Sequence, residues 1–141
     1  MSLEEHRKRI DKLDKEIIRL INERTAEAVM IGREKVASGK PVFDAKREAQ
    51  VFDKVTALNE GPIGDDALKG IYREIISGNY ALQQSVRIAY LGPKATYTHQ
   101  AAVKQFGDSM EYCPMTTIND VFAEVDKGEA DYGIIPIENS A

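Results

Sequence analysis

The stretch LEEHRKRIDKLDKEIIRLINERTAEAVMIGREKV, Leu3 to Val36, decides the fold. Leu3, Ile10, Leu13, Ile17, Leu20, Ala28 and Ile31 recur at about 3.5 residues, the period of one apolar helix seam. The spacing predicts a single helix of about 35 residues, hence about 50 Å long at 1.5 Å per residue. The segment ASGKP stops it, with Gly39 at a C-cap position and Pro41 just beyond. Asp44 is a good N-cap for a second helix running to about Asn59, with Phe52 and Val55 on its apolar face. EGPIGDD reads as a turn. A third helix follows, with Leu68, Ile71, Ile75 and Leu82 on one face. The two later helices are about half as long as the first. A second copy of the chain is therefore the expected cover for the rest of the long seam.

Several polar groups fall on these apolar faces. Arg24 lies in phase with Ile10, Ile17 and Ile31, at the centre of the seam, where a guanidinium needs an anion. Arg7 and Lys35 share one edge of the stripe, each four residues after a seam position. On the second helix Glu48 sits one turn before Phe52, with Arg47 beside it. On the third, Asn79 lies between Ile75 and Leu82, and Gln83 follows one turn later. One such group can set register between helices, and one long basic side chain can snorkel to water. All of them together exceed what a structural core satisfies. A small polar molecule carrying carboxylates and hydroxyls would satisfy them. Arg7 and Arg24 are seventeen residues apart, about 25 Å along a straight helix. If they share a ligand, Arg7 comes from the partner chain through antiparallel pairing of the long helices.

After Gln84 the pattern turns to β/α. VRIAYLGP reads as a buried strand and YTHQAAVKQFG as a helix. MEYCP reads as a short strand, TINDVFAEVDKGEA as a helix, and DYGIIPIENSA as a strand running into a loop. This alternation predicts the start of a parallel sheet, the opening of a larger domain. The expected division is 1–85 for the helical part and 86–141 for the α/β part.

Composition narrows the function. With 43% hydrophobic and 30% charged residues, the chain fits a globular protein rather than a disordered one. The net charge of -4 argues against a nucleic-acid partner. No apolar run is long enough for a bilayer, and the charged N-terminus lacks the apolar core of a secretory leader. Cys113 is the only cysteine, which excludes an intrachain disulfide and a cysteine-built zinc site. The expectation is a cytoplasmic protein with no metal, no cofactor and no membrane partner.

The residues now carry a resemblance. Arg7, LINERTAEAV with Arg24, Lys35, KPVFDAKRE and YALQQ together resemble the all-α chorismate mutases. RIAYLGPKATYTHQAA and DYGIIPIENSA resemble the first part of prephenate dehydratase. The order matches the bifunctional chorismate mutase/prephenate dehydratases of phenylalanine biosynthesis. The resemblance implies an all-α three-helix mutase domain in an intertwined helical homodimer, followed by an incomplete α/β segment. It implies an isomerase converting chorismate to prephenate. Arg24 and the partner's Arg7 would hold the substrate carboxylates, and Lys35 and Gln83 would donate to the ether oxygen. Glu48 and the Asp44 backbone would engage the ring hydroxyl, and Arg47 would support the site. Asn79 stands where the family pattern has a serine, which bears on affinity for substrate.

In the second part, Thr96, Glu138, Asn139 and Ser140 match family substrate-binding segments. The local reading of Thr96 is a capped helix start. The lyase activity, prephenate dehydration, is expected only of a longer chain, because the family's catalytic threonine motif lies beyond Ala141. Two other readings compete. One is a helical dimerisation module without activity, disfavoured because one register-setting group suffices. The other is a mutase-like enzyme acting on isochorismate, disfavoured by the dehydratase continuation.

Overall fold

The computed structural model describes residues 1–84, 86–94 and 96–137. Its first half is three helices, α1 (Leu3–Ala37), α2 (Ala45–Leu58) and α3 (Asp65–Gln83). The 35 residues of α1 begin where the Ser2 side chain accepts from the Glu5 backbone N–H. The helix ends in a Schellman turn. Lys40 N–H donates to the Lys35 carbonyl, Gly39 N–H donates to that of Val36, and Gly39 takes a φ of 69° that suits glycine. The Asp44 carboxylate caps α2 by accepting from the Arg47 N–H.

The N-terminal part of α1 has no cover within the chain. Ile10, Leu13, Ile17 and Leu20 are each more than half exposed. Packing against α3 starts further along and closes most tightly at Gly32, the one buried residue among those described on α1. The inward face of α3 differs from the expected one. Ile71 and Leu82 are exposed, whereas Ile76, Ser77, Asn79 and Tyr80 are buried. Helix α3 is apolar around much of its circumference, so periodicity alone marks two stripes. The one rotated toward α1 and α2 is the stripe through Ile76 and Tyr80.

The second half is β1 (Arg87–Leu91), α4 (Tyr97–Phe106), β2 (Glu111–Met115), α5 (Ile118–Asp126) and β3 (Tyr132–Ile134). The sheet is parallel in the order β2-β1-β3, as the β/α alternation predicts. Ile88, Ala89 and Tyr90 are fully buried because β1 is central and covered on both faces.

The two halves share a core. Val42, Ile76 and Tyr80 from the helices pack with Val86, Ile88, Phe106 and Met110. Phe43 joins them, with ring centroids 5.6 Å from Tyr80, 5.5 Å from Phe106 and 5.0 Å from Tyr132. Outside this core, Glu74 accepts from the Asp108 N–H, and Ser77 Oγ accepts from the Ser109 N–H. One side of α3 thus carries the loop after α4.

Candidate active site

The other side of α3 closes a cleft of about 270 Å³ against α1 and α2. Arg24, Glu27 and Lys35 line it from α1, Arg47 and Glu48 from α2, and Asn79, Tyr80 and Gln83 from α3. Six of the residues singled out in the sequence therefore meet in one space, although they span most of the helical half.

Five of them, Arg24, Lys35, Glu48, Asn79 and Gln83, have a side-chain partner. Lys35 Nζ donates to the Val42 carbonyl at 3.1 Å, which ties the end of α1 to the start of α2. Gln83 Nε2 donates to the Ala28 carbonyl at 2.8 Å. Gly32 makes this approach possible, because a Cβ there would lie 2.5 Å from Gln83 Cγ. The Thr25 hydroxyl gives its one proton to the Ile21 carbonyl at 2.8 Å. The Asn79 amide is therefore oriented with its nitrogen donating to Thr25 Oγ1 and its oxygen accepting from Arg24 Nη1, each at 2.9 Å. Arg24 also lies over the Tyr72 ring, 5.6 Å from its centroid. The anion expected beside Arg24 is replaced by a neutral amide and an aromatic face. The guanidinium needs no full counter-charge here because it is only half-buried and opens on the cleft.

Glu48 is 6% exposed. Arg73 forms an ion pair with its Oε1, and the Tyr80 hydroxyl donates to Oε2 at 3.3 Å. The Asp44 backbone N–H donates to the same Tyr80 oxygen at 3.4 Å. Burial, and then the Glu48 charge, push the Tyr80 phenol up to about 12, so it stays a neutral donor over the physiological range. Glu48 faces inward because α3 supplies both a cation and a hydroxyl to receive it.

The remaining predicted residues lie elsewhere. Arg7 is exposed on α1, away from its own chain's cleft. Asp44 contributes its backbone N–H beside the cleft. Thr96 is the N-cap of α4, accepting from the His99 N–H at 3.3 Å. Glu138, Asn139 and Ser140 lie outside the described residues. The sequence reading missed Thr25, Glu27, Tyr72, Arg73 and Tyr80. Arg73 had a signal, since it lies seven residues before Tyr80 and so on the same stripe of α3. Among the described residues, no cluster of His, Cys, Asp or Glu could hold a metal ion, and no helix is long and apolar enough to cross a membrane.

The fold and site define a three-helix chain with a cleft of cations and amides on the inner face of its long helix, continued by the opening of an α/β sheet. Residues 6–84 match the family model for chorismate mutase type II. The chain belongs to that family. Residues 88–141 match the family model for prephenate dehydratase. A bifunctional chorismate mutase/prephenate dehydratase from Aquifex aeolicus (strain VF5) is 48% identical over 142 residues, covering 98% of this chain and 39% of the relative. The protein of the same description from Neisseria gonorrhoeae (strain ATCC 700825 / FA 1090) is 41% identical, covering 96% of this chain and 37% of its own length. The chain thus spans about two-fifths of the curated relatives it matches. A solved chorismate mutase (form II) from Thermus thermophilus superposes with a TM-score of 0.56 at 33% identity, covering 57% of this chain and 92% of that one.

Proposed function

We propose that residues 1–85 form a chorismate mutase domain that rearranges chorismate to prephenate in phenylalanine biosynthesis. The convergence of Arg24, Lys35, Glu48, Asn79 and Gln83 on one cleft carries this reading. The rearrangement is pericyclic and needs no nucleophile, metal or proton transfer. The cleft supplies what remains useful, which is orientation and charge. Arg24, steadied by Asn79, holds a substrate carboxylate and favours the reactive conformer. Lys35 and Gln83 donate to the ether oxygen as negative charge builds on it. Glu48 and the Asp44 N–H meet the ring hydroxyl, and Arg47 supports the polar network.

The bare apolar seam of α1 supports an antiparallel homodimer of a cytoplasmic protein, in which the partner's Arg7 completes each cleft. Burying each of Ile10, Leu13, Ile17 and Leu20, which are about half exposed, contributes on the order of 1 kcal/mol in such a dimer. Residues 86–141 are the opening of a prephenate dehydratase domain. Thr96, Glu138, Asn139 and Ser140 are its substrate contacts, and this chain alone does not dehydrate prephenate.

The test is to incubate the purified chain with chorismate, identify the product and measure the protein's mass in solution. Prephenate without phenylpyruvate, from a dimer, supports the reading. A folded dimer without turnover would replace it with a dimerisation module.

A further inference from the structure

Arg73 does not line the cleft. It lines a separate groove nearer the start of α3, bounded by Phe52, Lys69, Val103 and Lys104. From there its guanidinium crosses the Phe52 ring, 4.4 Å from the centroid, and reaches Glu48 Oε1. Its side chain is only 17% exposed, so packing as well as charge sets its direction.

Glu48 meets charged and titratable groups on every side. Arg24, Glu27 and Lys35 share its cleft from α1, Arg47 from its own helix and Tyr80 from α3, with Asp44 beside the cleft on the Tyr80 hydroxyl. Tyr132 of β3 is near enough to feel its charge. A carboxylate this buried requires a cation. Without Arg73, the cations left to it are those of the cleft itself, Lys35 and Arg47 among them. Glu48 would turn to them and cancel the positive charge that a substrate anion needs.

We propose that Arg73 is a positioning residue that neutralises Glu48 from behind. It leaves the second carboxylate oxygen, which already accepts from Tyr80, a further lone pair for a ligand hydroxyl, and it leaves the cleft cations for ligand anions. This rests on the reading of the cleft as a chorismate mutase site. Tyr80 completes the arrangement, since its hydroxyl donates to Oε2 while accepting from the Asp44 N–H.

The test compares the full chain with its R73Q, R73K, E48Q and R73Q/E48Q variants, each checked as folded by circular dichroism and assayed with chorismate. The R73Q variant raises KM about tenfold, as expected for a lost contact to a charged group, and lowers kcat less. The R73K variant recovers most of the loss because it restores the cation. In the E48Q background R73Q changes neither constant, because the group it positions is gone. An R73Q loss that persists undiminished in the E48Q background overturns the proposal, as does an R73K variant no better than R73Q. Should R73Q fail to fold, R73K against the parent and the double variant against E48Q decide the same two points. A folded parent chain that does not turn chorismate over defeats the functional reading and this role with it. That failure shows in the parent, whereas a failure of positioning alone shows only among the variants.

Discussion

Gln83 donates to the carbonyl of Ala28 at 2.8 Å, across 55 residues of sequence. It does so over the bare backbone of Gly32, which makes that glycine a spacer for the site. Gly32→Ala gains about 1 kcal/mol of helix propensity but forces Gln83 aside at an overpacking cost of about 1–3 kcal/mol. The expected result is near-neutral to modest loss of stability with about a tenfold drop in turnover. Thermal unfolding and kinetics on the same preparation check it. An unchanged kcat would show that the Gln83 amide is not needed where it stands.

Lys35 brings a full charge to the cleft and Gln83 a neutral donor. Lys35→Ala is expected to lower kcat about a hundredfold or more, and Gln83→Ala about tenfold. Steady-state kinetics with chorismate rank the two. Equal losses would contradict the assignment of the growing charge chiefly to Lys35.

Tyr80 ties pH to stability. Its phenol ionises near 10 in the unfolded chain and at about 12 in the folded one, so the folded state holds the proton more tightly. The stabilisation is complete below pH 10 and is lost as pH rises through 12, an effect on the order of 2 kcal/mol. Tyr80→Phe should flatten the fall in urea-unfolding free energy over that window. A residual slope should remain, because burial also raises Tyr90, Tyr112 and Tyr132. An identical slope in parent and variant would refute the contribution.

Phe43 is the ring where the helical and α/β halves meet. Phe43→Ala should cost about 2–3 kcal/mol, since the side chain is large but only half-buried. It should also make residues beyond 86 cleave earlier under limited proteolysis. Cleavage spread evenly over the chain would argue that Phe43 stabilises the molecule without joining its parts.

The length of α1, the Asp44 cap and the strand–helix alternation were legible in the sequence because each is local. A seam, a capping carboxylate and a β/α rhythm are written within a few turns of chain. The inward placement of Glu48 was legible too, as a charge at an apolar phase. Its partners were not. Arg73 and Tyr80 reach it only because α3 crosses α2 in one rotation, and periodicity could not choose between the two apolar stripes of α3. The Asn79–Arg24 contact was hidden for the same reason, since it depends on which turn of α1 faces which turn of α3.

The core that runs from Val42 and Ile76 to Ile88 and Phe106 has a consequence for how this chain can be divided. A cut at position 85 would leave two oily faces wet, one on α3 and one on the sheet. A free-standing mutase made from these helices would need Val42, Phe43, Ile76 and Tyr80 redesigned for water. Three of them could be exchanged for polar residues, but Tyr80 could not, because the ring that seals the joint also carries the hydroxyl that steadies Glu48.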